Sequence, residues 1–359
     1  MRILNMYVAQ IYLRFFALCL GAFTAIYLVV DFMERIARFT RAGAHWYHTA
    51  LYFLWKTPEI VGQAAPLAVL MATLLTLGTL SMNSELTAMR GCGVSLTRIS
   101  SPILFLALII SILSLFIGEL VLPKSFAQRS YIQQVLIEKK NPSTFFRQHN
   151  IWYRDQGTIL RAALFDPETS TLKGITLWEL DRSLTPTRRV DATSGILTSS
   201  GWVFSDAVVR DIRSGEPSGT KTVSSLHAPL NLLPDDLKVL GKYSDNMTIE
   251  QLRRYCDKLQ AGGYDPTRYL AQMHGRIALP FSSAIMAFLG IPFSLRSSRS
   301  SGIAVGIGVS LAIGFLYTII NSVILSFGQA GVLPPVVAAW ATNFIFLMAG
   351  IWLCLTVES

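Results

Sequence analysis

The chain has 359 residues, of which 52% are hydrophobic and only 15% charged, against about 25% charged in an ordinary soluble domain. Its formal charge is +9, yet the block 141–240 holds eleven basic and eleven acidic residues, so the excess belongs entirely to the apolar remainder and its flanks. A basic excess beside apolar runs points to anionic lipid or to membrane loops retained on one side, and away from nucleic acid, since no Lys/Arg cluster sits on a soluble fold.

Met1 and Arg2 precede an apolar stretch as in a signal peptide. Arg14 interrupts that stretch, it runs on to Val30 and no small-residue cleavage site closes it, so a retained first helix is expected. A membrane helix needs roughly 20 apolar residues to cross about 30 Å. Six stretches qualify: Ile11–Val30, Ile60–Leu80, Ile99–Leu122, Ile277–Leu295, Ile303–Phe327 and Val336–Val357. Arg14 lies near enough to one end to snorkel. Pro334 and Pro335 precede the sixth stretch, where a missing N–H costs nothing. Arg2, Arg90, Arg98, Arg296 and Arg299 flank the spans on one side and place the termini and the two short loops in the cytoplasm. Arg35, Arg38, Arg41 and Lys56 on the opposite side weaken that bias.

Between the third and fourth stretches, residues 150–230 read as strands. Residues 151–154, 158–165, 172–180, 188–195 and 201–212 are short and rich in β-branched and aromatic side chains. Asp155-Gln156-Gly157, Asp166-Pro167 and Ser200-Gly201 punctuate them. The expectation is a small all-β, jelly-roll-like or sandwich domain outside the bilayer. A short helix follows. Thr248 caps it with Gln251 as reciprocal partner, Met247 and Leu252 are spaced for a hydrophobic staple, and Gly262-Gly263 end it. The expected division is 1–140 for the first three helices with a cytoplasmic loop 81–98, 141–240 for the β domain, and 241–359 for the connecting helix and the last three helices.

Motifs for chemistry are sparse. Cys19, Cys92, Cys256 and Cys354 have no disulfide or zinc spacing. Gly91-Cys92-Gly93 lacks the Lys-Ser/Thr of a phosphate loop. His45 and His48, beside Trp46 and Tyr47, fit an interfacial aromatic belt better than a metal site. No HExxH or GxSxG occurs, and Ser297–Ser301 reads as a polar loop. No catalytic residue, cofactor or metal is expected.

Two sets of residues stand out. Ser84, Glu85, Met89, Arg90, Gly91 and Gly93 lie in the loop between the second and third helices. They suit a short helix with Glu85 in its first turn and Arg90 in its last, signs that match the helix dipole. The segment is either a solvated connector or a docking helix for a cytoplasmic partner. Arg35, Arg38, Arg41, Lys124, Arg129 and Arg276 fall at the expected outer surface, where cations serve as lipid anchors or as a site for an anionic amphiphile.

The run Ser84-Glu85-Leu86-Thr87-Ala88-Met89-Arg90-Gly91-Cys92-Gly93-Val94-Ser95 resembles the loop after helix 2 in the lipopolysaccharide export permeases of the LptF/LptG (YjgP/YjgQ) family. Ala65-Pro66-Leu67 and Leu77-Gly78-Thr79-Leu80 are similar to that family's second helix. Gly118-Glu119 and Pro123 resemble the end of its third. The layout of three helices, a β domain and three helices matches over the whole chain, and Tyr243–Gly275 is more similar to the LptG half.

The resemblance implies a permease without catalytic residues of its own. It implies a homologous LptF-like permease partner in a heterodimer, an LptB-like cytoplasmic ATPase dimer and an LptC/LptA-like periplasmic bridge. It implies extraction of lipopolysaccharide from a bacterial inner membrane. In that setting the loop at Glu85 carries the coupling. The cations at the outer surface form a rim for lipid phosphates, and the acyl chains occupy a cavity between helices 1 and 5, the latter with Gly302, Gly306, Gly308 and Gly314. One departure is Asp31, with Glu34 close by, where some relatives carry a basic residue late in helix 1. The rival expectations are a membrane-anchored enzyme with its site in the β domain, and a structural envelope scaffold.

Overall fold

The computed structural model describes residues 2–138, 148–155, 157–166, 169, 171–181, 185–198, 201–213, 216–228, 247–261, 265–297 and 303–358. The expected Gly262-Gly263 helix stop, Gly302 and most of the Ser297–Ser301 loop, including Arg299, lie outside these residues. The chain forms two compact units: Met1–Arg129 with Thr248–Arg253 and Thr267–Ser359, and Ser130–Met247 with Arg254–Pro266.

The first unit is helical. Its elements are α1 (Arg2–Arg41), α2 (Trp46–Met82), α3 (Glu85–Gly91), α4 (Leu96–Leu120), most of α5 (Leu122–Tyr131), the start of α6 (Ile249–Ala261), α7 (Thr267–Ser297), α8 (Ile303–Gln329) and α9 (Pro335–Glu358). Six of these are long and apolar enough to cross a membrane, one for each expected stretch. The chain is a multi-pass membrane protein.

Helices α2 and α7 form the centre. Their most apolar windows are 67% and 61% buried, against 11% for α1 and 17% for both α4 and α8. Leu70 and Leu74 of α2 pack with Met286 and Leu289 of α7, and Tyr317 of α8 and Phe346 of α9 close the cluster. A buried polar link also ties the last three spans. The Tyr317 hydroxyl donates to Asn343 Oδ1 at 2.8 Å, and Asn343 Nδ2 donates to the Ala278 carbonyl at 2.7 Å. Pairing both ends of the amide removes the cost of a bare polar group in hydrocarbon.

The first two helices overrun their apolar limits. Helix α1 has 40 residues, a length of about 60 Å against a hydrocarbon layer of about 30 Å. The expected ends at Val30 and Ile60 marked where apolarity stops, not where the helices stop. Aromatic packing carries them further. Phe39 is buried and meets Tyr52 edge-on at 5.2 Å, and Phe32 meets Phe53 at 5.5 Å. Only residues 42–45 separate the two helices.

The expected connecting helix is α6, and its start is doubly capped. Thr248 Oγ1 accepts from the Gln251 amide at 3.2 Å, and the Thr248 amide donates to Gln251 Oε1 at 3.3 Å, which is the expected capping box. The next amide, Ile249, donates to both Glu119 oxygens at 3.0 and 2.9 Å. A carboxylate at that position also complements the helix dipole.

The second unit holds the all-β block. Six strands, β1 (Gln148–Asp155), β2 (Thr158–Asp166), β3 (Thr171–Leu180), β4 (Pro186–Thr198), β5 (Gly201–Arg213) and β6 (Glu216–Ala228), form one antiparallel sheet in chain order. One face is apolar: Leu160, Ala162, Ile175, Leu177, Val190, Trp202, Phe204 and Val209 form the core. Five strands fall on the expected segments. The sixth carries Pro217, Gly219 and several serines, so local propensity is weak. Its pairing with β5, from Trp202↔Ala228 to Arg213↔Glu216, supplies what propensity does not.

The core has no spare volume at Gly195. A Cβ there would lie 2.7 Å from both Ile175 Cδ1 and Phe204 Cδ1, and Phe204 is fully buried. Gly195→Ala will therefore destabilise the sheet by about 1–3 kcal/mol through overpacking. Amide exchange of β3–β5 in the full-length chain should rise about tenfold, since it follows local opening. Unchanged exchange would show that the two neighbours yield freely.

Candidate functional site

Helix α3 is built by its ends. Ser84, between α2 and α3, adopts φ 60°, a left-handed conformation that costs a non-glycine residue about 1–2 kcal/mol. It turns the chain within one residue. At the other end the Gly93 amide donates to the Arg90 carbonyl at 2.9 Å and the Val94 amide to the Met89 carbonyl at 3.1 Å. Gly93 itself has φ +80°, so the helix closes as a Schellman motif, which needs a glycine there.

The two faces of α3 differ. Leu86 is buried in the core of the first spans, and Met89 packs partly buried against the same cluster. Thr87, Ala88, Arg90, Gly91 and Cys92 are exposed. Met89 thus fastens the helix inward, while the exposed residues form its outward face. Glu85 is half-buried in the first turn. Its Oε2 accepts from the Tyr7 hydroxyl at 2.9 Å and its Oε1 from Asn83 Nδ2 at 3.3 Å. Both donors are neutral, and no cation pairs with Glu85 among the described residues.

At the opposite ends of the spans the expected cations separate into groups. Arg35 Nε donates to Asp31 Oδ1 at 3.0 Å, and Lys56 Nζ donates to the same oxygen at 2.5 Å. The Arg35 guanidinium also lies over the Tyr52 ring, 5.6 Å from its centroid. Arg129 pairs with Glu59 and lies 4.6 Å from the Phe126 ring centroid. One stretch of α2, with Tyr52, Lys56 and Glu59, therefore gathers Arg35 from α1 and Arg129 from α5. Arg38, Arg41 and Lys124 are exposed and form no ion pair among the described residues. Arg276 is half-buried on α7 and is engaged in an interaction of its own.

Asp31 on α1 is not left bare. Asp31 has its cation supplied from the next helix, by Lys56, as well as from its own. Lys56, Glu59 and Tyr52 were missed as site residues in the sequence. The available signal was the opposite pair Lys56 and Glu59, three apart and so on one helix face. Tyr7 was missed as well, being 78 positions from Glu85.

On α8 the glycines divide. At Gly314 a Cβ would meet Leu67 Cδ1 of α2 at 2.2 Å, so the glycine permits close helix packing. Gly306 and Gly308 face open space. His45 and His48 stack at 6.0 Å beside Trp46 and Tyr47, and no metal-holding group occurs among the described residues. All four cysteines are free.

The family described as Lipopolysaccharide export system permease LptF/LptG matches residues 6–356. The chain is 24% identical over 333 residues to the lipopolysaccharide export system permease protein LptG of Escherichia coli (strain K12), with 90% of each chain covered. It is 23% identical over 333 residues, again 90% of each, to LptG of Haemophilus influenzae (strain ATCC 51907 / DSM 11121 / KW20 / Rd). To LptF of Escherichia coli (strain K12) it is 24% identical over 309 residues, 82% of this chain and 78% of the relative.

Proposed function

The chain belongs to the LptF/LptG family of lipopolysaccharide export permeases, and on that premise we propose that it extracts lipopolysaccharide from a bacterial inner membrane and passes it to a periplasmic bridge protein. Its relatives are named as permease proteins, transporter components and not enzymes, and the chain has a permease role in lipopolysaccharide transport. A homologous permease is its partner in this reading, and a cytoplasmic ATPase dimer supplies the energy. Residues 1–140 carry the first three spans and the coupling loop 81–98. Residues 141–240 relay the lipid, and 241–359 carry the connecting helix and the last spans.

The observation that supports this most is α3. It is a separately capped helix, fastened inward by Leu86 and Met89, with an exposed face and one carboxylate held by neutral donors. A mere connector has no need of those features. Ser84, Glu85, Met89, Arg90, Gly91 and Gly93 are then the coupling residues. The test is purification of the chain from its native membrane in mild detergent. A homologous permease, a nucleotide-hydrolysing subunit and lipopolysaccharide should accompany it. Recovery without any ATPase or lipopolysaccharide would count against the reading and for the scaffold.

For the substrate we infer that Arg35, Arg38, Arg41, Lys124, Arg129 and Arg276 form a cationic rim for lipid phosphates. Arg38, Arg41 and Lys124 are its free members, while Arg35 and Arg129 are already engaged by Asp31 and Glu59. Each cation near a membrane surface contributes about 1 kcal/mol toward an anionic headgroup. Replacing Arg38, Arg41 and Lys124 together with glutamine should therefore lower lipopolysaccharide affinity by about 100-fold, read as crosslinking yield in intact membranes. Wild-type yield from the triple variant would make these residues anchors.

A further inference from the structure

We propose that Tyr7 is a positioning residue for Glu85, aiming its carboxylate at a cation on the docked partner. This rests on the reading of α3 as the docking helix. Glu85 is the one acidic residue in the loop 81–98, which also holds Arg90 and Arg98. No cation pairs with it among the described residues. Instead each oxygen has a neutral donor from outside α3, Tyr7 from α1 and Asn83 from the end of α2. An ionised carboxylate has about four acceptor sites, so two bonds fix its direction and leave room for a cation. An O–H to a carboxylate is a charge-assisted bond and loses nothing when that cation arrives.

Packing alone does not account for Tyr7. It is 41% exposed, and its hydroxyl bonds a residue on a different element. Helix α1 is unbroken from Tyr7 to Arg35, about 42 Å away. The bond therefore ties the aim of Glu85 to the position of the helix whose other end carries the Asp31, Arg35 and Lys56 cluster.

The experiment uses the full chain with its permease partner in nanodiscs and the purified ATPase subunit of the same export system. Tyr7→Phe removes only the hydroxyl. It should weaken ATPase binding about 3- to 10-fold and leave the melting temperature of the permease pair unchanged. In a Glu85→Gln background the same change should have less than about a twofold effect, since residues acting on one interaction are not additive. If Glu85→Gln weakens binding but Tyr7→Phe does not, the positioning role is wrong and the docking helix stands. If Tyr7→Phe weakens binding equally in both backgrounds, it acts by another route and the inference also fails. If Glu85→Gln itself binds normally, the docking reading falls and takes this inference with it.

Discussion

Glu85→Arg will leave the chain inserted in the membrane but without its ATPase. Insertion survives because the substitution adds positive charge to a loop that already holds Arg90 and Arg98, and extra positive charge on that side reinforces the same orientation. Folding of α3 survives because Leu86 and Met89 still hold it to the spans when the Glu85 hydrogen bonds are gone. What is lost is the anion proposed to meet the partner's cation. Removing one member of a charged pair enclosed in an interface costs about 3–5 kcal/mol, and each 1.4 kcal/mol is about tenfold in affinity. Binding should therefore fall by two to three orders of magnitude, and export should stop. Normal co-purification of the ATPase with the variant, at normal export, would remove Glu85 from the coupling path.

Asp31→Ala should be the most damaging single change at the other end of the spans. The side chains of Asp31 and Lys56 are only 14% and 11% exposed and share a 2.5 Å contact. Truncating Asp31 leaves Lys56 nearly buried without an anion, a situation that costs about 3–5 kcal/mol. Its effect should appear as a marked fall in the melting temperature of the detergent-purified chain. The pair Asp31→Asn with Lys56→Met should recover the part of the loss that comes from stranding Lys56, because a matched neutral replacement of a buried ion pair is often neutral, while Arg35, 27% exposed, still lacks its anion. In the β unit, Arg188 and Glu179 have side chains 37% and 39% exposed. An exposed pair of that kind contributes about 0–1 kcal/mol, so Glu179→Ala should change little. If Asp31→Ala melts like the wild type, the cluster is solvated and does not hold α1 to α2.

Local signals were legible in the sequence. The six spans were legible from the length of their apolar runs, and the β block from short segments rich in β-branched and aromatic residues. Helix α3 was legible because Glu85, Arg90 and Gly93 each act within a turn of their own position. The Thr248 and Gln251 capping box was legible for the same reason. Long-range features were not. Arg129 and Glu59 are 70 positions apart and Tyr7 and Glu85 are 78 apart, and no periodicity joins them. The far extensions of α1 and α2 were hidden because the helices continue on aromatic packing and ion pairs after apolarity ends. Strand β6 was hidden because its partner, not its composition, makes it a strand.

We propose that this chain moves lipopolysaccharide by coupling to an ATPase. The most direct measurement is transfer of lipopolysaccharide from proteoliposomes to a soluble periplasmic acceptor, with and without the chain. ATP-dependent transfer is expected only when the chain is present beside its permease partner and the ATPase, and none when Glu85→Arg replaces it. Equal ATP-dependent transfer from vesicles that lack the chain would contradict it.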